Sequence, residues 1–170
     1  MFLNSSIINS LPKGEGEFLK QILDVTDLFI QVTGSDDKLL QLPQHLRGIK
    51  SVPACCHSIA LAISMLVPGM RVVHGIYRGL VEGEGEENGQ LILRRCAHSW
   101  NVTPHGTIID SYHVGVHSGG PVIVASHGQH RDFGAGHYCE LPEVVTKLPM
   151  FKHYSIACTI VDVINFAREQ

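Results

Sequence analysis

Three residue types follow one another in an order that could do chemistry. A cysteine pair, Cys55-Cys56, heads an apolar run; His98 lies in a segment rich in β-branched residues; Asp110 closes the next apolar stretch. Cysteine attacks as thiolate, and the free N–H groups and dipole of a helix N-terminus favour that anion. A histidine beside the thiol can hold and return its proton, and a carboxylate behind the histidine fixes the imidazole tautomer. The set predicts attack on an acyl carbon through a thioester, with both cysteines in the first turn of a helix.

Positioning these groups demands particular elements. Ala54 to Leu66 is apolar or small at nearly every place, with Pro53 at its start and Pro68-Gly69 at its end, which predicts a buried central helix. Met70–Tyr77 and Gln90–Val102 read as a hairpin across an acidic, glycine-rich turn, Thr107–Tyr112 as a third strand, and Pro121–Ala125 as a fourth. Antiparallel neighbours bring His98 and Asp110 within reach if both face one way. Upstream, Glu15–Val32 carries a helical apolar stripe that ends at Gly34, and a shorter amphipathic stretch from Asp36 is broken by Pro43. Ser126–Tyr138 lacks periodicity and reads as a loop, and two helices, Pro142–Leu148 and about Tyr154–Arg168, close the chain. The expectation is an α+β fold: a nucleophile helix packed on an antiparallel sheet of three or four strands, with helices on both flanks. One domain spans 1–170, divided into a helical N-terminal extension (1–50), a catalytic core (51–125), and a His/Gly-rich loop with C-terminal helices (126–170).

The strings Cys56-His57-Ser58-Ile59-Ala60-Leu61, Met70-Arg71-Val72-Val73-His74-Gly75, Ala97-His98-Ser99-Trp100-Asn101 and Gly106-Thr107-Ile108-Ile109-Asp110 together resemble the core of the transglutaminase-like superfamily, a branch of the papain-like cysteine fold. The resemblance covers about Ala54 to Asp110. It implies that Cys56 is the nucleophile, through the Ala60 and Gly75 registers, with His98 the base and Asp110 the orienter. Papain-like peptidases commonly carry a glutamine ahead of the cysteine as oxyanion donor, whereas Lys50 and Ser51 occupy that region here. The backbone N–H of Cys56 is then the first expected donor, and the second is unassigned. Cys55, Trp100, Tyr112 and His113 are the expected oxyanion and cleft residues, Trp100 as packing that flanks the site. His57 is expected to point away from the Cys56 side of the helix.

Composition removes several other classes. The 170 residues carry a net charge of -3 and no polybasic run, which argues against nucleic acid as a partner. The longest apolar run, Ile59 to Val67, is about half of the ~20 residues that span a bilayer, and the start of the chain lacks the pattern of a secretory signal. Five cysteines, an odd number, suggest reduced thiols in a cytoplasmic compartment, or in a protein exported without a classical signal. Cys96, Cys139 and Cys158 read as inert core residues. Seven of the 11 histidines fall between His98 and His137. His127, His130, His137 and Cys139 could ligate zinc, but their spacing matches no compact pattern, so the reading carries no metal and no cofactor.

The sequence thus predicts a thiol hydrolase (peptidase, amidase or deamidase) acting on an amide or isopeptide bond of a peptide or small molecule. Hydrolysis is preferred over transfer to an amine because no calcium-loop pattern is present. The alternatives are a transglutaminase-type acyltransferase, or a non-catalytic binding module with a zinc-binding histidine loop.

Overall fold

The structure is a computed structural model that describes residues 13–52, 54–82, 91–112, 122–124, 137–140 and 143–170. It opens with helix α1 (Glu15–Thr33), whose Leu19, Ile22, Val25 and Val32 are buried on one face. Gly34 ends it by donating its N–H to Ile30 O at 2.9 Å. Helix α2 (Asp36–Gln41) starts at Ser35, whose Oγ accepts from Lys38 N, and Asp36 and Asp37 complement its positive end. After Pro43 the chain tightens into a 3-10 segment (Gln44–Ser51) that buries Leu46 and Ile49.

Helix α3 (Cys56–Leu66) has Cys55 at its N-cap, and Ser58 Oγ accepts the Cys55 N–H at 3.0 Å. Gly69, at φ 88, turns the chain into the sheet, a backbone region that costs a side-chain-bearing residue strain.

Among the described residues the sheet is antiparallel and five-stranded, and with its strands numbered in chain order the spatial order is β4-β3-β2-β1-β5. Strands β1 (Arg71–Glu82) and β2 (Leu91–Val102) form the expected hairpin, with Gly75 opposite His98 and Val73 opposite Trp100. β3 (Ile108–Asp110) pairs with β2 through Asn101↔Ile109, and β4 (Val122–Val124) covers β3. β5 (His137–Glu140) lies on the far edge against β1. Its first two residues, His137 and Tyr138, fall in the stretch read as a loop, because pairing with β1 supplies an order that these four residues do not signal on their own.

The chain closes with α4 (Glu143–Arg168), one helix where the sequence predicts two. Pro149 removes one N–H from its first half, normally a break worth ~3 kcal/mol. The helix continues into a face whose Ala157, Ile160, Val163 and Ile164 are buried, and that packing outweighs the local preference.

The architecture is therefore α+β. Leu19 and Ile22 of α1, Ile63 of α3, Ile109 of β3 and Val163 and Ile164 of α4 belong to one hydrophobic core, so the segment read as an extension supplies part of the core. Each such side chain contributes roughly 1.5–3 kcal/mol on full burial. A smaller cluster, Val73, Trp100 and Val102 with Ile108 against it, includes only residues of the sheet. No helix of the described residues is long and apolar enough to cross a membrane.

Candidate active site

β2 sets the site by alternation. Along a strand successive side chains point to opposite faces. Trp100 packs with Val73 and Val102, whereas Asn101 is buried and donates its Nδ2 to Ala60 O of α3 at 2.9 Å. β2 therefore holds α3 with one set of side chains and builds an acid–base pair with the other.

That pair is His98 with Asp110. The Asn101↔Ile109 register brings Asp110 diagonally across from His98, and His98 Nε2 lies 2.7 Å from Asp110 Oδ2. Both residues are fully buried. Asp110 Oδ1 accepts the backbone N–H of Tyr112 at 3.1 Å, which fixes the carboxylate from its other side. The rings of Tyr77 and Trp100 stand with centroids 6.0 Å from that of His98, one edge-on and one tilted, and limit its rotation.

Cys56 occupies the first position of α3 and is 7% exposed. Burial pushes its thiol pKa up, but hydrogen bonds from His57 and His98 together with their charges outweigh that and bring it down to about 6. His98 answers in the opposite sense. Burial disfavours its charged form, yet the hydrogen bond to Asp110, then that to Cys56, hold it up at about 9. Between these values the favoured state is thiolate beside imidazolium, and the titrations belong to the pair.

Of the expected set, His98 and Asp110 are brought together, and Cys56 stands close enough to His98 that each shifts the pKa of the other. Trp100 flanks His98 as anticipated. Cys55 is half-buried beside Cys56 with its Sγ 3.5 Å from Nδ1 of His153. Tyr112 contributes its backbone to Asp110, while its side chain is 39% exposed and lines an apolar groove of about 240 Å³ with Phe29, Ile59 and Ile63. His113 and the zinc reading's His127 and His130 lie outside the described residues. Cys96 and Cys158 are half-buried rather than core. Among the described residues no three His, Cys, Asp or Glu side chains are arranged to hold a metal ion.

One expectation is overturned. His57 does not point away from Cys56; it stands close enough to lower the pKa of that thiol. Successive helical residues are ~100° apart by the 3.6-residue repeat, but in a first turn no preceding turn blocks the side chain. Ser99 captures the ring, with His57 Nδ1 2.5 Å from Ser99 Oγ, and His74 Nδ1 reaches the same oxygen at 2.6 Å. The His57 ring also lies on that of His153, with centroids 4.9 Å apart. Burial, followed by the charges of His57 and His153, lowers the pKa of His74. Ser99, next to His98, faces α3 as Asn101 does, and that alternation was the available signal for it.

Comparison of the chain with protein-family models, with curated proteins and with solved structures returns no match.

Proposed function

We propose that the protein is a thiol-dependent acyl-transfer enzyme with a papain-like core of the transglutaminase-like kind, working through Cys56, His98 and Asp110 on an amide or isopeptide bond. The observation that carries this reading is the buried 2.7 Å contact between His98 Nε2 and Asp110, near a buried thiol at the first position of α3 whose pKa His98 helps to lower. Two ionisable groups sealed from water are costly as mere structure, and here their environment favours the charged forms that catalysis needs.

Asp110 engages Nε2, so the proton exchanged with Cys56 is the one on Nδ1. The Cys56 thiolate adds to the carbonyl carbon, and the carbonyl electron pair moves onto oxygen near the N–H groups of the α3 first turn. Collapse of the adduct breaks the C–N bond, and the departing amine takes the Nδ1 proton of His98. The resulting thioester is resolved when neutral His98 takes a proton from an incoming water whose oxygen bonds to the acyl carbon; the C–S bond then breaks, Cys56 leaves as thiolate beside protonated His98, and a carboxylic acid is released. An incoming amine gives a new amide instead. Hydrolysis is the preferred outcome.

The test is acylation with p-nitrophenyl acetate, followed by peptide mass spectrometry. A burst of one p-nitrophenolate per chain with acetyl on Cys56, absent in Cys56→Ser and strongly slowed in His98→Ala, is expected. A label spread over the cysteines without preference for Cys56 would remove the reading. Repeating the reaction with an added primary amine separates water from amine as acceptor.

A further inference from the structure

The apolar groove that Tyr112 lines has no part in the acid–base chemistry of the triad. It lies between α1, α3, α4 and the end of β3, with a volume of about 240 Å³. Along α1 it extends from Val25 to Thr33, a rise of about 12 Å. An apolar cavity of about 150 Å³ takes a benzene ring, so a space of about 240 Å³ has room for roughly ten carbons. Drawn out over that length, it suits a chain better than a ring. No charged side chain is among the described residues that line it. Thr26 and Thr33 each donate their hydroxyl proton to a carbonyl of their own helix, Ile22 O and Phe29 O, at 2.8 Å. The walls therefore offer a ligand hydrocarbon and little else. Ile30 is 58% exposed and Tyr112 39%, apolar surface that an occupant would cover.

The groove begins one helical turn from the nucleophile. Cys56 and Ile59 are three places apart on α3, which sets their Cβ atoms about 5–6 Å apart. At ~100° per residue, Ile59 and Ile63 lie within about 60° of Cys56 around the helix axis. Helical side chains lean toward the N-terminus, so Ile59 covers surface on the Cys56 side. Another wall, Ser111 and Tyr112, follows Asp110 directly, and Tyr112 N donates to Asp110 Oδ1 at 3.1 Å. Resting on the acyl-transfer reading, we propose that this groove holds the hydrocarbon tail of the acyl donor, and that the substrate is an amide of a straight-chain acid of about six to ten carbons. The carbons nearest the carbonyl cross the one-turn gap, and the rest lie along α1. An amino-acid side chain is too short to do both.

p-Nitrophenyl esters of the two-, four-, six-, eight- and ten-carbon acids test this. In each, the Cys56 S–C bond forms, the ester C–O bond breaks, and p-nitrophenolate leaves with the electron pair. Acylation rates are taken relative to hydrolysis in buffer, with the acyl group located on Cys56 by peptide mass spectrometry. They are expected to be flat from two to four carbons and then to rise about threefold per methylene. The octanoyl-to-acetyl ratio should therefore reach roughly 50–100. Ile30→Asp puts a charge at an exposed position of the groove and should lower that ratio about fivefold or more. Thr26→Trp fills the groove and should make the six-carbon ester, or a shorter one, the best substrate. Leu40→Asp, at another exposed apolar position outside the groove, should leave the ratio as it is. If Ile30→Asp is unfolded by circular dichroism, Thr26→Trp decides. A wild-type ratio near one, or a high ratio that the groove variants leave unchanged, overturns the proposal, while acetyl on Cys56 keeps the triad reading. An N-acetylphenylalanine ester that outruns the octanoyl ester gives the groove to a peptide side chain and overturns it too. A Cys56 that accepts neither acetyl nor octanoyl overturns both the triad reading and the groove.

Discussion

Replacing His98 with alanine should make the pH profile of Cys56 alkylation cross that of the wild type. In the wild type the thiol pKa is about 6, because His57 and His98 overcome the opposing effect of burial. At pH 7 such a thiol is about nine-tenths thiolate, against roughly 3% for an ordinary cysteine near 8.5. Lower basicity also weakens the nucleophile. With a Brønsted slope of about 0.4–0.5, a drop of about 2.5 pKa units costs roughly 10–18-fold in intrinsic rate. The net advantage at pH 7 is therefore only about two- to threefold, and a single rate decides nothing. The midpoint does. His98→Ala removes one hydrogen bond and one charge while burial and the effect of His57 persist, so the midpoint should rise toward 8.5. At pH 6 the thiolate fraction then falls from about one half toward about 0.3%. After the gain in nucleophilicity, the variant should be up to about tenfold slower than wild type there. Above pH 9 it should be up to about tenfold faster. Iodoacetamide rates read by peptide mass spectrometry, with half-buried Cys96 and Cys158 as internal references, give both limbs. Parallel profiles, or a wild-type midpoint near 8.5, would refute the thiolate–imidazolium argument.

Turnover of an acyl p-nitroanilide should be bell-shaped. It should rise as pH climbs through about 6, where Cys56 loses its proton, and fall through about 9, where His98 loses the proton that the leaving amine requires. Asn101→Ala removes a buried hydrogen bond from β2 to Ala60 O. It should cost about 1–2 kcal/mol in urea unfolding with an unchanged denaturant slope. Gly69→Ala forces a side chain to φ 88, although the added methyl meets Phe18 and Pro104 only at an ordinary 3.5 Å. A loss of about 1–2 kcal/mol from backbone strain is expected on thermal or urea melts. Wild-type stability would show that the turn tolerates the change by relaxing.

What could be read in the chain depended on whether a residue's partners were local. The start of α3 was legible because Pro53 and a cysteine pair precede an apolar run. The His98–Asp110 pair was legible because a short turn joins two β-branched segments, and antiparallel geometry leaves few ways to pair them. The placing of the His57 ring was hidden, since it depends on Ser99, which is 42 positions away, and on freedom peculiar to a first helical turn. β5 was hidden because hydrogen bonds to β1, rather than any alternation of its own, make it a strand. The unbroken α4 runs against its proline. Local chemistry argued for a stop, and burial of Ala157, Val163 and Ile164 against the core decided otherwise.

Because β2 serves both faces, its alignment with β1 has a property useful beyond catalysis. A slip of one residue would send every side chain of the strand to the other face. Ser99 and Asn101 would leave α3, and His98 would leave Asp110, in the same event. A misaligned hairpin thus cannot hold the helix while missing the acid–base pair, nor the reverse. Acylation of Cys56 during refolding would therefore act as a yes-or-no reporter of strand alignment, counting correctly zipped molecules in a population whose average helix and sheet content looks unchanged.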